Sequence, residues 1–117
     1  MKKLVILGAG TAGTIMANKL AGTLSRDEWQ ITIVDRDETH HYQPGYLFIP
    51  FGIYAPRDVT KPRRDYLPRG VEVVLSAIDV IEPDQNRVRL ANGQILGYDF
   101  LLITTGERPV PAQTDGL

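Results

Sequence analysis

Gly8, Gly10 and Gly13 stand in the spacing G-x-G-x-x-G, as Gly8-Ala9-Gly10-Thr11-Ala12-Gly13. Glycines so placed suit a backbone that must come close to a phosphate. Gly8 permits a tight turn, Gly10 leaves room for a pyrophosphate at the main chain, and Gly13 lets a following helix pack closely. A helix starting here turns the N–H groups of Thr11, Ala12 and Gly13, and the positive end of its dipole, toward an anion. Asp35 follows Gly13 by 22 positions, near the ~20 expected of the acid that accepts hydrogen bonds from a ribose. A carboxylate there suits a free 2′-hydroxyl and repels a 2′-phosphate, although Arg36 beside it keeps the phosphorylated nucleotide open. The alternative is a glycine turn that binds nothing, and the elements around the loop weigh against it.

Those elements are in register. Leu4-Val5-Ile6-Leu7 leads into the loop, and residues 2–7 read as a parallel strand covered on both faces. Residues 11–24 read as the crossover helix, with Ile15, Met16, Leu20 and Leu24 at helical spacing. Residues 30–35 form the second strand, ending in Asp35. Residues 40–66 are rich in proline and aromatics and read as loop, with short helices around 46–49 and 61–66. Residues 71–75 are the third strand, 100–104 the next. Between them 77–82, 87–90 and 94–96 make an antiparallel meander, turning at Pro83-Asp84-Gln85-Asn86 and Ala91-Asn92-Gly93. The fold class is α/β: a Rossmann-like parallel sheet with a small antiparallel β-meander insert. The expected strand order is 71–75, 30–35, 2–7, 100–104. The meander is expected at the carboxyl side of the sheet, apart from its helix layers.

The chain has 117 residues, 43% hydrophobic, with 13 basic and 14 acidic residues and a net charge of −1. Nothing in that balance draws it to nucleic acid or an anionic membrane. It has no cysteine, which removes disulfides, thiolate metal sites and cysteine catalysis from this segment. The apolar run after Met1-Lys2-Lys3 is too short for a signal peptide and Gly8 interrupts it. The reading is a cytoplasm-facing chain. Residues 109–117 look like a connecting loop, so residues 1–117 are expected to be the N-terminal part of an FAD-binding domain in a longer protein.

The flavin enters through resemblance. Tyr98-Asp99-Phe100-Leu101-Leu102-Ile103-Thr104-Thr105-Gly106 resembles the Y-D-x-L-h-h-A-T-G strand of the two-dinucleotide-binding-domain flavoproteins, with Thr104 for the usual alanine. The meander ending Leu90-Ala91-Asn92-Gly93 resembles their three-stranded insert. Within that family, His40-His41-Tyr42-Gln43-Pro44-Gly45-Tyr46-Leu47-Phe48 is similar to the aromatic-Gln-Pro segment of sulfide:quinone oxidoreductases. The resemblance implies FAD as the cofactor. Gly8, Gly10, Thr11, Ala12 and Gly13 would then face its pyrophosphate, Asp35 its adenosine ribose, and Arg36, Ser76 and Ala77 its adenine. Thr105 and Gly106 would lie by the pyrophosphate or ribityl chain, Pro44 and Gly45 by the isoalloxazine.

The function so implied is electron transfer by FAD from a small sulfur donor to a quinone, in an enzyme associated peripherally with a membrane through its C-terminal part. The redox cysteines of such enzymes lie beyond this region. Other readings are an NADH:quinone oxidoreductase, the flavin subunit of a flavocytochrome sulfide dehydrogenase, or a non-catalytic nucleotide-binding module. This segment alone is expected to bind FAD weakly, because an unenclosed ring stays in water, and to self-associate through its open sheet edge.

Other residues invite plainer readings. His40 and His41 lack a third ligand at suitable spacing, so no metal site is expected, and they read as polar loop residues. Tyr42, Tyr46, Phe48, Phe51 and Tyr54 suit either a flavin or quinone surface or loop anchors packed on the core. Arg57, Lys61, Arg63, Arg64 and Arg69 read as a solvated basic face, because no stacking aromatics accompany them on a strand. No catalytic residue is legible.

Overall fold

The computed structural model describes residues 1–41, 43–107 and 110–116, and only the backbone of His40, His41, Gln43, Pro44, Gly45 and Val59. Strand β1 (Lys2–Leu7) leads through the glycine loop into α1 (Thr11–Thr23), then β2 (Trp29–Asp35). A short ribbon pairs β3 (Thr39–His41) with β4 (Thr60–Pro62), antiparallel. Next come β5 (Val71–Leu75), the meander β6 (Ile78–Glu82), β7 (Arg87–Leu90) and β8 (Ile95–Gly97), and finally β9 (Phe100–Ile103).

The main sheet is parallel, in the order β5-β2-β1-β9, as expected from the sequence. The chain steps outward from β1 to β2 and β5, then returns to the other side of β1. That reversal puts the glycine loop at the switch point, where open α/β sheets bind ligands. Asp99 fixes the return: its carboxylate accepts the Lys3 N–H at 2.7 Å and its own N–H donates to the Lys3 carbonyl at 2.8 Å.

Alternating residues of β1 and β2 feed two cores. Leu4, Ile6, Ile31 and Ile33 pack with Ala9, Ala17 and Val71 on the helix side. The helix meets them with Ala17, Leu20, Ala21 and Leu24. Ile15, expected on that face, is 50% exposed. Close approach to the sheet favours small side chains, so Gly13 and Ala17 are the residues buried there rather than Ile15, while Leu20 and Leu24 pack half-buried, as expected.

On the other face Val5, Leu7, Val34 and Val74 pack against Val88 and Leu90, with Ile78, Ile81, Leu96, Tyr98 and Leu101 around them. The meander therefore does not stand off at the carboxyl side; it lies across the sheet as its second cover. A parallel sheet needs both faces covered, and α1, the one α-helix among the described residues, is taken by the first face. Among the described residues no helix is long and apolar enough to cross a membrane.

The 40–66 region is also more ordered than loop. His40 pairs with Lys61 and His41 with Thr60, so both histidines sit on a strand. 3₁₀ turns span Gln43–Phe48, Pro56–Val59 and Arg63–Tyr66. Phe48 and Tyr54 meet edge to face at 5.3 Å, but Leu47, Phe51 and Ile53 are 73%, 80% and 63% exposed. These three side chains are not anchored on the core. Tyr42 lies outside the described residues.

Because the meander covers the sheet, Leu90→Ala should lower the unfolding free energy by about 2–5 kcal/mol, as for any buried leucine. Urea denaturation of the purified chain measures this; a loss well under 1 kcal/mol would fit a peripheral insert instead.

Candidate functional site

The three glycines are of two kinds. Gly8 has φ +102°, and a Cβ there would lie 2.3 Å from the Thr104 carbonyl oxygen. A Cβ on Gly13 would lie 1.9 Å from the Gly8 carbonyl oxygen and 2.7 Å from Thr104 Oγ1. Both are required by the packing of the chain on itself. Gly10 is different: its φ is −74°, and a Cβ there would meet nothing within 4 Å. The fold leaves open space where a side chain would go.

Gly10 is also the N-cap of α1, and no side chain caps it. The first turn holds no acidic residue. Its N–H groups, including those of the exposed Thr11 and Ala12, thus have no intrahelical acceptor and keep the helix's positive end free for an anion. Thr104, the departure from the motif's alanine, braces this loop. Its hydroxyl faces two acceptors, the Gly8 carbonyl at 2.8 Å and the Leu7 carbonyl at 3.1 Å.

An open cleft of about 300 Å³ adjoins the loop, lined by Gly8, Val34, Asp35, Arg36, Ser76, Ala77, Ile78 and Thr105. Six residues singled out from sequence meet here: Gly8, Asp35, Arg36, Ser76, Ala77 and Thr105. Gly10, Thr11, Ala12 and Gly13 form the adjoining helix start. Gly106, with φ +72° and open space around it, follows Thr105. Pro44 and Gly45 lie on the 3₁₀ turn Gln43–Phe48, described for its backbone alone at both positions. Ser76 is buried; its N–H donates to the Asp35 carbonyl at 3.0 Å, and its hydroxyl donates to the Ala77 carbonyl and accepts the Asn92 N–H.

Asp35 is already engaged. Its Oδ2 accepts the Ala9 N–H at 2.8 Å and its Oδ1 the Asp37 N–H at 2.9 Å. Each oxygen keeps lone-pair capacity, and the side chain is 16% exposed, so it can still receive hydroxyls from the cleft. Arg63, read from sequence as part of a solvated basic face, is buried. Its Nη2 lies 3.6 Å from Asp35 Oδ2, its Nε donates to the Asp37 carbonyl at 2.6 Å, and its Nη1 donates to the Ala9 carbonyl. Arg57, Lys61, Arg64 and Arg69 are exposed, as expected. The ribbon carries Arg63 back: its N–H, just after β4, donates to the Glu38 carbonyl at 2.7 Å. No sequence signal separates Arg63 from Arg64. Among the described residues no group of His, Asp or Glu is placed to hold a metal.

A strand, a glycine turn, an uncapped helix start and a carboxylate ending the next strand form one dinucleotide-binding arrangement. The family model of the pyridine nucleotide-disulphide oxidoreductases matches residues 2–117. The chain belongs to that family. Among curated members, the mitochondrial sulfide:quinone oxidoreductase of Dictyostelium discoideum is 33% identical over 104 residues, 89% of this chain and 23% of the relative. A type II NADH:quinone oxidoreductase of Staphylococcus aureus is 32% identical over 107 residues, 90% of this chain and 26% of the relative. The crystal structure of the Aquifex aeolicus sulfide:quinone oxidoreductase superposes with a TM-score of 0.81 at 24% identity, over 94% of this chain and 25% of that one. The chain spans about a quarter of the length of these oxidoreductases. The pyridine nucleotide-disulphide oxidoreductases and these neighbours are FAD-binding flavoproteins.

The two kinds of glycine are separable by experiment. Gly13→Ala should lower the unfolding free energy by about 3 kcal/mol or more, since a backbone oxygen cannot yield to the new methyl. Gly10→Ala should change it by less than about 1 kcal/mol, a weaker N-cap offset by a less flexible unfolded chain. Urea midpoints of the two variants check the contrast.

Proposed function

We propose that this chain is the FAD-holding N-terminal part of a flavoprotein oxidoreductase of the sulfide:quinone oxidoreductase kind. The observation that carries the cofactor assignment is Gly10. Neither its backbone angles nor its packing calls for glycine, yet it stands at an uncapped helix start beside the cleft. A pyrophosphate accounts for that space.

In this reading Gly10 and the N–H groups of Thr11, Ala12 and Gly13 hold the pyrophosphate. The free lone pairs of Asp35 take the ribose hydroxyls. Ser76, Ala77 and Arg36 border the adenine, Thr105 and Gly106 the ribityl side, and Pro44 and Gly45 the ring. Asp35 disfavours a 2′-phosphate, which suits FAD. Bound FAD supplies a two-electron carrier; this segment anchors and orients it. A small sulfur donor reduces it and a quinone reoxidises it. The Dictyostelium relative and the aromatic-Gln-Pro segment support that pair. The enzyme associates peripherally with a membrane through parts beyond this chain. The segment by itself associates with a second copy through the open edge of β9, where Phe100 and Ile103 are exposed. A second reading, an NADH:quinone oxidoreductase, is favoured by the Staphylococcus aureus relative.

The full-length protein should purify yellow with FAD. Asp35→Ala should weaken flavin binding by about 1–3 kcal/mol, because ribose hydroxyls lose their acceptor. Tight NADP binding without flavin would overturn the assignment. Anaerobic mixing then separates the donors: sulfide should bleach the flavin band and added quinone restore it. Bleaching by NADH and not by sulfide would select the second reading.

A further inference from the structure

Arg63 is the buried charge that none of the roles above uses. Its side chain is only 10% exposed, and a guanidinium is costly to bury unless its donors are matched. Here they are matched to one small region. Nη1 donates to the Ala9 carbonyl inside the glycine loop, Nε donates to the Asp37 carbonyl at 2.6 Å, and Nη2 lies 3.6 Å from Asp35 Oδ2. Thr14 Oγ1, in the first turn of α1, donates to the same Ala9 carbonyl at 3.2 Å.

That carbonyl belongs to the Ala9–Gly10 peptide. In a planar trans peptide the C=O and the following N–H point in opposite directions. With the Ala9 oxygen held inward by Arg63 and Thr14, the Gly10 N–H is turned the other way, out of the packed interior. No described residue accepts it. The Ala9 N–H is meanwhile spent on Asp35. One guanidinium thus touches both the peptide whose N–H is left for a ligand and the carboxylate placed for a ribose. A fixed planar fork can do this; a lysine ammonium, a single point on a flexible stem, cannot span the same acceptors.

We propose that Arg63 is the positioning residue of the dinucleotide site. It sets the orientation of the Ala9–Gly10 peptide and holds the Asp35 carboxylate against the same loop, so that amide donor and ribose acceptor stand in one geometry before a ligand arrives. The ligand part of this proposal rests on the FAD reading above; the peptide orientation does not.

The test uses the full-length protein with ¹⁵N-glycine and the variants Arg63→Met, Arg63→Lys and Thr14→Val. In ligand-free Arg63→Met the Gly10 amide resonance should move while that of Gly97, beside Lys3 and Gln30 at the amino end of the sheet, stays. FAD affinity should fall by roughly tenfold or more, the loss expected when a charged hydrogen-bonding group is removed. Arg63→Lys should recover part of the affinity but not the Gly10 resonance position. Thr14→Val, which removes the weaker donor, should move both readouts in the same direction by less. An Arg63→Met protein with wild-type FAD affinity, or with an unmoved Gly10 amide, overturns the proposal. So does an Arg63→Lys protein that matches wild type in both readouts, and this variant decides the matter if Arg63→Met does not fold. A wild-type protein that binds no FAD overturns the flavin reading instead, and the Gly10 resonance alone then decides the role of Arg63.

Discussion

A methyl group on Gly13 would lie 1.9 Å from the Gly8 carbonyl oxygen, and one on Gly8 would lie 2.3 Å from that of Thr104. Three backbone segments therefore meet at one point with no room for a side chain: the end of β1, the first turn of α1 and the end of β9. The rest of the site follows from that contact. It brings the positive end of α1 to the carboxyl edge of the sheet. It makes Gly13 and Ala17, both small, buried residues of the helix. It gives Thr104 two carbonyls to brace, and it leaves Gly10 as the glycine of the three with space around it.

Polar anchoring then finishes what packing begins. Asp35 accepts the Ala9 N–H, Arg63 donates to the Ala9 carbonyl, and Arg63 and Asp35 face each other at 3.6 Å. The peptide groups on either side of Ala9 are thereby tied from below, which stiffens the loop without placing a side chain in the cleft. The ribbon of β3 and β4 has its place in this arrangement. By pairing residues 39–41 with 60–62, it returns the chain to the level of Asp37 and Glu38 and delivers Arg63 under the loop.

What the sequence made legible were features with local causes. Gly8 and Gly13 answer to backbone conformation and close approach, which a glycine reports directly. The four parallel strands announced themselves as short apolar runs, and their order followed from connection rules. The alternation Arg87-Val88-Arg89-Leu90 marked a strand with one buried face but did not say which surface it would bury against; only the completed sheet decides that. Ile15 misled because helical spacing cannot tell a large exposed residue from the small ones that a tight interface selects. Arg63 was illegible for another reason. It sits among four cations of similar type, and its burial depends on a ribbon pairing of residues about twenty positions apart.

Thr104 sits at the end of β1 in space and just after β9 in sequence. β1 and β2 pair across about 27 residues, while β1 and β9 pair across 96, Leu4 meeting Phe100. Closing the longer loop costs about 1 kcal/mol more in chain entropy, and on a ribosome it must also wait for the chain to be made. The glycine loop is translated about ninety residues ahead of the Thr104 hydroxyl that braces it and the backbone that crowds Gly8. The nascent chain therefore carries an unfinished nucleotide loop until β9 has been made, and the step that completes it is the docking of β9.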